Sequence, residues 1–175
     1  MFTNTARIFL IGLFLAMGLF FSYEHVYPLM GASLMFIALL IWGYFKEGTV
    51  IMAAKSFHKK DYVRSEVLLK QIPNPGWLAK KRRGFYEFIM GGVCLQKQDY
   101  DAAERHYELA AQFPLRSVND HVAALVHVAN ISIRQHNYDK AAAYIELANK
   151  NQEKINAKMK DVIAKLEKEL KQHTK

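Results

Sequence analysis

The 175-residue chain has a single cysteine, Cys94. That excludes an internal disulfide and any zinc cage built from cysteines. Its seven histidines form no H-x-x-x-H pair and no H-E-x-x-H run. His121 and His127 stand six apart, on different faces of a helix, and His106 and His136 fall on separate elements. No glycine-rich phosphate loop is present, because Gly91-Gly92 sits inside an apolar helical stretch, where bare backbone allows close packing. Cys94, between Val93 and Leu95, reads as a small apolar filler. The chain is therefore not expected to be an enzyme, and no catalytic, metal-binding or cofactor-binding residue is expected.

Charge is the other scarcity. Residues 1–45 contain only Arg7 and Glu24, so the whole +8 of the chain belongs to residues 46–175. Of these, residues 46–83 carry ten basic and three acidic side chains, while residues 84–175 carry thirteen and twelve. The basic surplus lies just beyond the apolar segment.

That segment holds two apolar runs, Ala6 to Tyr23 and Tyr27 to Phe45, joined by "SYEHVYP". Each is close to the ~20 residues a helix needs to cross the hydrocarbon core of a bilayer. Pro28 suits the first turn of the second helix. A signal peptide is the competing reading of the first run, but no small-residue cleavage site follows it. A buried soluble hairpin fails because helices apolar all round have too little chain here to cover them. Residues 1–45 are expected to form a transmembrane hairpin. Arg7 precedes the first run, and Lys46, Lys55, Lys59 and Lys60 follow the second. The loop between has no Lys or Arg, so both termini are expected on the cytoplasmic side.

The remainder repeats itself. "KKDYVRSEVLL" (59–69), "KQDYDAAERHY" (97–107) and "QHNYDKAAAYI" (135–145) align with Tyr62, Tyr100 and Tyr138 spaced by 38 residues. Three positions after each tyrosine comes a small residue (Ser65, Ala103, Ala141), and four further on a large one (Leu69, Tyr107, Ile145). Nine before each tyrosine is another small residue (Ala53, Gly91, Ala129). These are helix–turn–helix units in which small side chains let antiparallel helices approach.

The pattern, best seen in "GGVCLQKQDYDAAERHYELAAQFP" (91–114), resembles the tetratricopeptide repeat, whose consensus places G/A, Y, A, F and P at these relative positions. The resemblance covers residues 46–148 and implies an all-α, three-repeat helical solenoid. The period exceeds the usual 34 residues by nearly one helical turn, which lengthens first helices to roughly 80–97 and 119–136. "SVND" (117–120) caps the latter. The same extension in the first unit reaches residues 42–45 and makes the second apolar helix continuous with it, with Gly48 as a bend. Residues 149–175 carry Ile155, Met159, Val162, Ile163, Leu166 and Leu170 on one stripe of an amphipathic helix. It reads as a cap on the last repeat, with a coiled-coil dimer as the alternative.

The resemblance further implies a concave groove, lined by first helices, that holds a partner protein. Groove-facing positions are Phe85, Phe88, Gly92, Leu95 and Gln96 in the second unit and Ala123, Val126, Asn130, Ile133 and Arg134 in the third. Simple packing against the first repeat is an equal reading of Phe85 and Phe88. Only Asn130 and Arg134 match the polar clamp of members that hold a C-terminal carboxylate, so an apolar helix is the expected partner. The basic run Lys80, Lys81, Arg82, Arg83 reads as a solvated charge run or as a contact with anionic lipid. It lacks interleaved aromatics, and no nucleic-acid binding is expected.

The expectation is a multi-pass membrane protein, assigned on economy to a bacterial inner membrane with a eukaryotic organelle membrane as the alternative, and an adaptor that binds a protein partner for assembly or maintenance of an envelope complex. The alternatives are a structural subunit of a larger membrane complex and a recruitment-type regulator of an envelope enzyme.

Overall fold

The computed structural model describes the backbone of residues 4–47 and 49–173, and within them all side chains except those of residues 4, 5, 7, 44–47 and 152. The expectations for Gly48 and for the side chains of Arg7 and Lys46 lie outside these residues. The described chain is all-α and divides into two compact units, residues 1–48 and 49–175.

The first unit is an antiparallel pair, α1 (Asn4–Tyr23) and α2 (Tyr27–Glu47). His25, at φ 55°, turns the chain between them. Phe14 stacks on Phe36 at 5.2 Å, and Gly18 faces the Cβ of Ser33. Ser33, the one buried residue described in this pair, donates to the Leu29 carbonyl at 3.0 Å. The outward side chains are apolar too: Ile8, Phe9 and Leu19 are each 71% exposed, and Leu34, Met35, Leu39 and Trp42 are also open. Among the described residues no helix is long and apolar enough to cross a membrane.

The second unit contains seven helices among the described residues: α3 (Val50–His58), α4 (Tyr62–Lys70), α5 (Lys80–Gln96), α6 (Tyr100–Gln112), α7 (Val118–Arg134), α8 (Tyr138–Asn149) and α9 (Ala157–His173). The first six form three antiparallel pairs, and in each the expected tyrosine opens the second helix. The turn before it is the same three times. Lys60, Gln98 and His136 take the left-handed conformation, at φ 62°, 62° and 61°. The next amide reaches back to the carbonyl of Ser56, Cys94 or Ser132, the six-to-one bond of a Schellman ending. Asp61, Asp99 and Asn137 then cap the following helix, each side-chain oxygen accepting the amide three residues on. One residue ends a helix and the next begins another, so the pairs close with little loop.

Between paired helices the small residues are fully buried: Ala53, Ser65, Ala103, Ala129 and Ala141. In the first pair Ser65 replaces alanine, and its hydroxyl donates to the Ala53 carbonyl at 3.0 Å, which removes the cost of an unpaired buried hydroxyl. The long helices α5 and α7 match the expected extents to within two residues, and Ser117 caps α7 by accepting the Asp120 amide. Thr49 precedes α3, and its hydroxyl donates to the Leu68 carbonyl of α4. The helix starts at Val50 and runs nine residues.

Three core clusters succeed one another along the unit. Val50, Ala53, Leu69, Ile89 and Val93 join α3, α4 and α5. Ala103, Tyr107, Ala124, Val128 and Ile131 join α6 to α7, with Phe88 and Leu95 of α5 packed alongside. The third draws on α7, α8 and α9 and includes Val126, Ala129, Ile145, Ile163 and Leu166. The amphipathic stripe of α9 is thus covered within the chain. Asn149 donates to Glu167 at 2.6 Å, and Tyr138 stacks on His173 at 5.3 Å.

A candidate binding cleft beside the first helix pair

Helical periodicity divides the basic run at the start of α5. Residues four apart share a face, so Lys81 and Phe85 point one way and Arg83 and Glu87 another. Arg83 swings onto Glu87, Nη2 to Oε1 2.6 Å, with its guanidinium 5.7 Å from the Tyr86 ring centre. Glu87 is 1% exposed and takes a second charge-assisted contact from His106 Nδ1 of α6 at 2.6 Å. A carboxylate this deep requires such partners, and Arg83 is one of them. Lys80 is exposed away from the others.

Lys81 and Arg82 line a cleft of about 360 Å³ between α3, α5 and the loop after α6. Its floor is apolar: Val50, Ile51 and Ala54 of α3, with Phe85 of α5. Its rim is basic, with Lys55 and His58 from α3 and Arg116 from the loop joining the two residues of α5. Gly84 lets that loop approach, because a Cβ there would stand 2.8 Å from Leu115 and 2.9 Å from Phe113. Among the described residues no carboxylate pairs with Lys55, Lys81 or Arg116. The cleft concentrates positive charge over an apolar base.

The expected groove is broken up by comparison. Phe85 is half-buried at the cleft. Phe88 lies edge-on to Tyr107 at 5.5 Å and near His127 at 6.1 Å, so its ring is part of the second core. Gly92 is buried, and a Cβ there would stand 2.5 Å from the Phe57 ring. Val126 is 8% exposed and Ile133 3%, both in the cluster that α9 completes. Gly92, Val126 and Ile133 are thus buried in packing, and half-buried Phe88 packs against the second cluster. Ala123, Asn130 and Leu95 are half-buried, and Gln96 and Arg134 are exposed at the ends of α5 and α7.

One buried and one half-buried polar group went unread in the sequence. Glu87 stands in "GFYEFIMGG", where nothing local distinguishes it from a surface glutamate; its partner His106 arrives from another helix. His127 stacks on Tyr107 with ring centres 4.5 Å apart, and burial lowers its pKa to about 4. Burial also pushes the Tyr107 hydroxyl up, and raises the Cys94 thiol, which disfavours the reactive thiolate. Among the described residues no group of three or more His, Cys, Asp or Glu is placed to hold a metal ion.

No protein-family model matches this chain, and neither a curated protein nor a solved structure matches it.

Proposed function

We propose that this chain is a membrane-anchored adaptor of tetratricopeptide-repeat type that binds a protein partner and serves the assembly or maintenance of an envelope complex. The observation that carries this reading is the recurrence of one turn. A left-handed residue, an Asp or Asn cap and a tyrosine succeed one another at three places 38 residues apart. Helix pairs repeated in constant register are the arrangement repeat proteins use to build binding surfaces. The anchor is residues 4–47. Outside the face where Phe14 meets Phe36, the described side chains of the two helices are largely apolar and exposed, which favours a non-aqueous surrounding. The basic flank after α2 supports a repeat unit on the cytoplasmic face of a bacterial inner membrane.

A photo-crosslinking amino acid at exposed Gln96 or Arg134, compared with one at exposed Ala142 on the second helix of the third pair, tests the binding reading. A single adduct captured from the first helices and not from Ala142 is expected. No adduct at any position, or equal capture at all three, would dismiss it. An adduct that stays stoichiometric through purification in mild detergent would mark a permanent subunit.

A further inference from the structure

We propose that the cleft beside the first helix pair binds the phosphate headgroup of an anionic phospholipid, with the glycerol and upper acyl carbons on the apolar floor. Lys55, Lys81 and Arg116 converge from a helix, a second helix and a loop, and no described carboxylate neutralises them. Like charges brought together in this way are relieved by an anion. Guanidinium and ammonium groups together suit a phosphate, the one by paired donors and the other as a point charge. The floor of Val50, Ile51, Ala54 and Phe85 selects further, since a free phosphate would leave it wet while an amphiphile covers it. A volume of about 360 Å³ lies within the usual range for small-ligand pockets.

A polypeptide helix fits less well. The apolar floor is confined to Val50, Ile51, Ala54 and Phe85, a short patch for the apolar stripe of a helix. The inference rests on reading α1 and α2 as a membrane anchor: Val50, on the floor, comes three positions after Glu47, the last residue of α2. A chain anchored by that helix has anionic headgroups available as ligands, and each cation that meets one contributes roughly 1 kcal/mol, or about a fivefold factor in affinity. Arg116 takes part because Gly84 admits its loop, so Gly84 is a positioning residue for the site.

The test uses the full-length chain in mild detergent, titrated with short-chain phosphatidylglycerol and followed by native mass spectrometry. One saturable lipid per chain is expected, with phosphatidylcholine at least tenfold weaker. Replacing Lys55, Lys81 and Arg116 together by Gln should weaken phosphatidylglycerol binding by about a hundredfold. Replacing exposed Lys59, Lys60 and Lys80, which removes the same charge away from the cleft, should change it by less than about threefold. Gly84→Ala should reproduce part of the first loss with the helical signal retained.

Equal losses for the two triple variants would reduce the effect to net charge and overturn the site. Inorganic phosphate that displaces the lipid at equal concentration would make it a soluble-anion site, also overturning the proposal. Saturable binding of a glutamate-rich helical peptide, lost in the Lys55, Lys81 and Arg116 variant, with no saturable lipid binding, would assign the cleft to a protein partner instead. The detergent assay needs no bilayer crossing, so its failure is distinguishable from failure of the anchor, which topology labelling tests separately.

Discussion

The ring of Tyr107 lies against the bare Cα of Gly91: a Cβ at residue 91 would stand 3.0 Å from the ring atoms. Tyr107 is 1% exposed and is held on its far side by His127, with ring centres 4.5 Å apart. It has no room to retreat, so the added methyl cannot be accommodated by a side-chain rotation. Gly91→Ala should destabilise the repeat unit by about 1–3 kcal/mol despite its better helix propensity, as measured by urea unfolding. A neutral or stabilising result would show that α5 and α6 are less closely packed than this contact implies.

The left-handed turns predict the opposite sign. Gln98 holds φ 62° with an exposed side chain, at a position where glycine removes the steric cost of a Cβ. Gln98→Gly should stabilise by up to about 1 kcal/mol, the usual gain less the extra entropy of the unfolded chain. Gln96→Gly, two residues earlier and still helical, should destabilise by about 0.5–1 kcal/mol.

His127 makes stability pH-dependent in a defined window. Burial lowers its folded pKa to about 4 from the ordinary value of 6.5. Between those values the unfolded chain takes up the proton and the folded chain does not, so stability rises with pH there. The contribution is complete above pH 6.5 and falls away as the pH drops towards 4, by up to about 3 kcal/mol. His127→Phe keeps an aromatic ring on Tyr107 and should remove most of this slope from unfolding midpoints measured between about pH 4 and 7. An unchanged slope would assign the effect to other groups.

Val126 tests the groove. Glutamate there would place an unpaired carboxylate in the cluster of Ile145, Ile163 and Leu166, at a cost of several kcal/mol. Val126→Glu should therefore cost helical circular dichroism and detach α9. A folded variant that loses only a partner would restore Val126 to a binding surface.

The anchor has its own check. Ser22 and Ser117 are both exposed. In a Cys94→Ser background, Ser22→Cys should react with an impermeant maleimide in intact cells and Ser117→Cys only after lysis. Labelling of Ser117→Cys from outside would reverse the proposed orientation.

The sequence by itself determined the helix pairs and their register. Tyr62, Tyr100 and Tyr138 mark second-helix starts, and Ala103 and Ala141 mark the close faces, because turn chemistry and small-residue spacing act over a few residues and repeat in a readable period. The C-terminal stripe was legible for the same reason: its 3.6-residue pattern names the covered side wherever the helix docks. Tertiary structure alone decided what covers each face. Val126 looks like a groove residue until α9 lies over it, and Phe88 until Tyr107 and His127 close around its ring. Arg83 is indistinguishable from Lys81 in "KKRRG", yet one faces Glu87 and His106 and the other the cleft. Lys55, Lys81 and Arg116 stand up to 61 positions apart in the chain. Their convergence over Val50 and Phe85 depends on how α3, α5 and one loop pack, and no local pattern encodes a site assembled from such distant segments.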